Sequence, residues 1–136
     1  MTELELKERF RAFSIRIVKM VNAMPKTIAS TAIAHQLIRS GTSPYANYRA
    51  ACLGKSDKDF LNKLKMVEEE IDETGQWLDI IIATEILPQP RVQPLYDESQ
   101  ELQKIIAKSI LTMKRKLGEY PPVSNKSKIE NTVNRK

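Results

Sequence analysis

Arg39, Asn47, Glu70 and Glu73 are the residues of this chain whose types and spacing could do chemistry. Arg39 opens R-S-G-T-S-P-Y-A-N-Y-R-A-A-C, in which Ser40, Gly41, Thr42 and Ser43 replace the aliphatics of an ordinary amphipathic helix. Glu70 and Glu73 lie three residues apart, close to Thr74 and Trp77, so both carboxylates reach the same side of a helix. Such a pair could hold a divalent ion or meet a cation. A carboxylate-bridged metal bundle also needs Glu-x-x-His pairs on two helices, whereas the single histidine, His35, has no glutamate three residues before it. No Walker A loop and no H-E-x-x-H are present, and Cys52 has no histidine partner in a recognisable motif. No catalytic residue, metal or cofactor is therefore expected, and the chain reads as non-enzymatic. The remaining chemistry is an ion pair, Arg39 with Glu70 or Glu73, clasping two helices together. If buried, it specifies packing, and losing one partner costs about 3–5 kcal/mol. A surface Arg39 with no effect on stability is the alternative.

The elements that must position these groups are helices. Thr2 with Glu5 forms a capping-box pattern, and Phe10, Phe13, Ile17, Met20 and Met24 follow as one stripe until Pro25. This predicts a helix over 3–24. A second helix is expected over 26–54, with Ile28, Ala32, Leu37 and Ile38 on its apolar side and Gly54 at its end. S-G-T-S-P reads either as a turn or as a kink near Gly41–Tyr45, with hydroxyls re-satisfying the carbonyl that Pro44 leaves free. Tyr45, Tyr48 and Cys52 resume helical spacing at once, which favours the kinked helix. Phe60, Leu64, Val67, Ile71, Thr74, Leu78 and Ile81 alternate at spacings of four and three, predicting a helix over 57–86 with one polar knob, Thr74. Pro88, Pro90 and Pro94 predict an extended connector. A fourth helix is expected over 95–117, with Leu102, Ile106, Ser109, Ile110, Met113 and Leu117 inward. A polar, mobile tail is expected over 119–136. Four helices with short links imply an antiparallel up-and-down four-helix bundle over 1–118.

Composition agrees with one all-α domain. The chain has 136 residues, 41% of them hydrophobic, and only 4 glycines, enough for a core without staples. One cysteine excludes an internal disulfide framework and suits a reducing cytoplasm. The N-terminus, alternating acids with hydrophobics, is not expected to be a targeting segment, and no apolar run suits a bilayer. A cytoplasmic protein without membrane contact is expected. The formal charge of +5 is uneven: +2 over residues 1–24, +4 over 25–56, −6 over 57–86 and +5 over 87–136. Such asymmetry serves self-assembly or leaves basic surface for a polyanion.

R-S-G-T-S at 39–43, followed by Ala46-Asn47, Asp59-Phe60, Lys63-Leu64, Glu70, Glu73-Thr74 and Trp77-Leu78, resembles the four-helix bundle proteins encoded in 23S rRNA intervening sequences. The resemblance spans roughly residues 8–117. The sequence departs from the family pattern at Pro44-Tyr45, where an aliphatic residue and then glycine or proline is usual, so the kink shifts by one residue. It departs again at Gln76, where tyrosine is frequent. The resemblance implies a bundle that assembles as a ring, a homopentamer. It also implies a likeness in architecture to the accessory proteins of diversity-generating retroelements, basic pentameric barrels that bind nucleic acid and a reverse transcriptase.

Two functional expectations follow. In the first, a ring binds RNA or DNA phosphates through Arg9, Arg11, Arg16, Lys104, Lys108, Lys114, Arg115 and Lys116 on helices 1 and 4. Its binding is weakly sequence-specific and steeply salt-dependent. In the second, the chain is a protein-interaction scaffold or reverse-transcriptase accessory protein, whose basic residues mainly complement the acidic helix of a neighbouring copy.

Overall fold

Backbone donors at three helix starts are capped by hydroxyls that the sequence supplies. The computed structural model describes residues 1–119. Within them, α1 spans Glu3–Ala23, α2 Ile28–Cys52, α3 Asp57–Ala83 and α4 Gln89–Lys116. Thr2 and Glu5 close the capping box of α1. Thr27 accepts from the Ser30 amide and Ser56 from the Asp59 amide. Each helix packs on the next, and α1 approaches α4 only sparsely. The result is an up-and-down bundle whose last seam is its loosest.

The core is the set of stripes facing the common axis. Phe10, Phe13, Ile17, Met20 and Met24 of the first stripe are all buried. On α3 the seam is entered by Leu61, fully buried, while Phe60 is half-buried against it. Thr74 is also fully buried, but its hydroxyl donates to the Glu70 carbonyl at 2.8 Å. Its polar group is thus satisfied within its own helix and does not reach across to fix register.

Two expectations are corrected. The apolar side assigned to α2 is not its buried side: Ile28 is 94% exposed, Ala32 and Ile38 also face outward, and only Leu37 of the four is buried. The inner face is instead Ser30, Leu37, Ser40, Gly41, Pro44, Tyr48 and Ala51. Small residues face inward because α1 comes so close: a Cβ on Gly41 would lie 2.7–2.9 Å from three side-chain carbons of Ile17. The second correction concerns the proline segment, which is helical from Gln89 and not an extended connector ending near 95. Pro88 is the N-cap and Pro90 falls in the first turn, where the missing amide hydrogen has no helical partner to lose. Pro94 lies farther in, on the exposed side, where water can satisfy the released carbonyl. Buried Val92 and Leu95 hold this turn against the core.

Through Ser40–Tyr45 α2 is continuous, so the turn reading is excluded. Pro44 removes one hydrogen bond, and the hydroxyls bind carbonyls around it: Thr42 donates to Ile38 O and Ser43 to Arg39 O, both at 2.6 Å. The expected tail lies outside the described residues except for Glu119, whose carboxylate accepts from Lys58 at 3.0 Å.

Candidate functional site

The polar residues of the central motif meet where α2 faces α3. Arg39 donates through Nη2 to Glu73 Oε2 and, at 3.1 Å, to Gln36 Oε1. The same Glu73 oxygen accepts from Trp77 Nε1 at 3.0 Å. Two turns farther along α2, Asn47 Nδ2 donates to Glu70 Oε1 at 2.8 Å. Each glutamate therefore has its own α2 partner, and the two carboxylates serve two clasps, not one metal site. Among the described residues no cluster of His, Cys, Asp and Glu suited to a metal ion occurs. The clasp is not buried: the Arg39 side chain is 53% exposed and that of Glu73 35%. The several-kcal/mol penalty attached to a buried pair does not apply to this one.

Near one end of α2, Tyr48 lies against Phe10 with ring centroids 5.3 Å apart, and its hydroxyl bonds Cys52. Burial pushes the Tyr48 phenol well above its ordinary range, helped by Cys52. Burial likewise raises the Cys52 thiol, against the lowering effect of the Tyr48 bond. A raised thiol is a poor nucleophile at neutral pH, which fits a packing role.

The eight basic residues do not form one patch. Arg9 is held in a two-pronged pair with Glu98 of α4, both bonds 2.8 Å, and that bond chiefly raises its pKa. Lys104 lies 3.5 Å from Glu101, and Lys116 3.1 Å from Asp57. Arg11 is exposed on the outer side of α1, Lys108 borders a groove with Phe60 and Ile105, Lys114 is half-buried, and Arg115 is exposed near the end of α4. Arg16 alone of the set enters a cleft between α1 and α4, together with Lys19, Met20, Arg91 and Leu95. Lys19 and Arg91 were not singled out as site residues from the sequence. Arg91 was hidden by reading P-Q-P-R-V-Q-P as a connector, which removed it from any helix face. Glu98 was missed as the partner of Arg9 because nothing local to either residue reports the register of α1 against α4.

A second groove of about 450 Å³ runs between α1 and α2, bordered by Val21, Ala34, His35 and Ile38. Ile15 and Val18 on the outer side of α1 are each 38% exposed. No helix among the described residues is long and apolar enough to cross a membrane.

Fold and site together define an up-and-down helical bundle with a polar clasp between its second and third helices and no catalytic constellation among the described residues. Residues 2–108 match the family described as 23S rRNA-intervening sequence protein, and the chain belongs to that family. It is similar to a solved structure described as a protein of unknown function from the S23 ribosomal protein family of Bacteroides thetaiotaomicron. The two are 31% identical with a TM-score of 0.73, over 77% of this chain and 97% of that one. No curated protein matches the chain.

Proposed function

We propose that this protein is a non-enzymatic, ring-forming bundle that binds the phosphate backbone of RNA or DNA through α1 and α4. The observation that carries this reading is the separation of charge by helix. From Arg9 to Ser56 the chain contains no acidic residue, while α3 alone carries eight of the 17 acidic residues. Basic surface on α1 and α4 is the kind of field that attracts a polyanion without reading sequence. Self-assembly is supported by the same separation together with exposed Ile15 and Val18 on α1 and Ile38 at the α1–α2 groove. A second copy of this chain offers the fitting partner, its acidic α3 meeting cations and its apolar residues covering the groove. A pentamer is the stoichiometry that the family resemblance suggests.

The test is titration of a fluorescent RNA duplex with nucleic-acid-free protein at several salt concentrations. Three neutralised phosphates per bound protomer predict a loss of affinity of about 40-fold between about 50 and about 200 mM salt. Absence of binding at the low-salt end would leave the scaffold reading in its place, with the basic residues complementing α3 of a neighbour.

A further inference from the structure

The α1–α4 seam changes character along its length, and the change has an exact register. The helices run antiparallel, and Arg9 is ion-paired with Glu98 across the seam. Seven residues on along α1 is Arg16; seven residues back along α4 is Arg91. Seven residues are two helical turns, about 10.5 Å, and return to the same face. The position equivalent to a matched ion pair is therefore occupied by two guanidinium groups. Lys19 joins them at the rim of one cleft of about 200 Å³, floored by Met20 and Leu95. No carboxylate lines this cleft, and α4 has no acidic residue before Asp97.

The backbone adds to the imbalance. Pro88 gives α4 no side-chain cap, and its first turn contains no acid. A helix start ordinarily favours anions, yet the charged residue here is Arg91. Two arginines, a lysine and a helix start thus share a region with no internal counter-charge, whereas the next two turns of the same seam are neutralised by Glu98.

We propose that this cleft is a phosphate-binding site in which Arg16 and Arg91 grip a phosphate group from opposite sides and Lys19 adds a third contact. On the nucleic-acid reading, on which this assignment of the ligand rests, the phosphate is a backbone phosphodiester. Arginine suits the role because its planar fork presents paired donors to phosphate oxygens. An anion in the cleft would offset the like charges that line it.

The experiment has two arms, run on the wild type, the double variant Arg16→Gln/Arg91→Gln, and Lys65→Gln on α3 as a charge-loss control. In the first arm, binding of a fluorescein-labelled RNA duplex is followed by anisotropy. The double variant is expected to bind roughly tenfold or more weakly, with a salt slope reduced by about two, while Lys65→Gln changes little. In the second, thermal unfolding is followed with inorganic pyrophosphate against chloride at matched ionic strength. Pyrophosphate raises the wild-type midpoint, and the double variant loses that response while melting no lower than wild type without the anion. RNA binding that survives the double substitution, or that falls equally in Lys65→Gln, overturns the cleft and leaves the nucleic-acid reading standing. Pyrophosphate stabilisation confined to the wild type, without RNA binding, overturns the nucleic-acid reading and supports the cleft. Failure of both arms overturns both.

Discussion

Arg39 and Glu73 show how much a side chain's surroundings decide what an interaction is worth. Their guanidinium–carboxylate contact joins two helices at a motif that invites the idea of a buried clasp, yet water reaches both groups. Exposed pairs contribute roughly 0–1 kcal/mol, so Arg39→Ala is expected to lower stability in urea by less than about 1 kcal/mol, with an unchanged denaturant slope. A loss of about 3 kcal/mol or more would return the pair to the buried class. Tyr48 makes the opposite case. Its phenol is raised chiefly by burial, so the fold prefers the neutral form. A raised group contributes stability that is complete below its unfolded value and fades as pH rises above it. Unfolding midpoints are therefore expected to fall once the pH passes about 10, the unfolded phenol value, at up to about 1.4 kcal/mol per pH unit. The Cys52 thiol, raised by partial burial, acts in the same direction once the pH passes the ordinary thiol range. Tyr48→Phe keeps the ring beside Phe10 and removes the ionisation, so its alkaline slope should be shallower than wild type. Equal slopes in the two proteins would show that the phenol is not protected by the fold.

At the scale of elements, α1 and α2 lie so close that a hydrogen separates them where a methyl group would not fit. Alanine in place of a helical glycine ordinarily stabilises by up to about 1 kcal/mol. At Gly41 the new Cβ would sit under 3 Å from the Ile17 side chain, and overpacking of this kind costs about 1–3 kcal/mol. Gly41→Ala is thus expected to destabilise, and combining it with Ile17→Ala to cost less than the sum of the two changes, as a double-mutant cycle in urea would measure. Strict additivity would mean that the two side chains do not compete for the space. This close approach also explains what could be read beforehand. Stripes on α1, α3 and the second half of α4 were legible because large side chains at spacings of three and four can only be core. The inner face of α2 was not, since Ser30, Ser40, Gly41 and Pro44 make up much of it, residues that periodicity counts as breaks. The start of α4 was obscured because three prolines suggest extension when read locally, whereas Val92 and Leu95, packed on the core, make the turn helical. Of the candidate site, Arg39, Asn47, Glu70, Glu73 and Trp77 were legible as a motif, though not their division into two clasps. The Arg9–Glu98 pair depends on packing between the first and last helices, information that no single segment contains.

For the molecule as a whole, the proposed self-assembly and the proposed polyanion binding would differ in their response to salt. Ile15 and Val18 on α1 and Ile38 at the α1–α2 groove are exposed apolar side chains, and burial of apolar area is little affected by screening. In the proposed binding the α1–α4 cations would act on phosphates through charge, which salt weakens steeply. Light scattering coupled to size exclusion should therefore give a multiple of the 15.6 kDa chain mass that persists at about 1 M salt, where screening reaches only about 3 Å. RNA should co-elute at low salt and separate at high salt. Val18→Glu places a carboxylate on the outer side of α1 without entering the core, since Val18 is already partly exposed. It is expected to yield monomers with unchanged helical circular dichroism, because a stable interface of roughly 1,000 Å² or more tolerates an unpaired charge poorly. Monomers in the wild type would remove the ring and the interface together. An assembly that dissolves with salt but ignores Val18→Glu would move the contact to the acidic face of α3, and the cations of the neighbouring copy would then be occupied by protein and closed to phosphate.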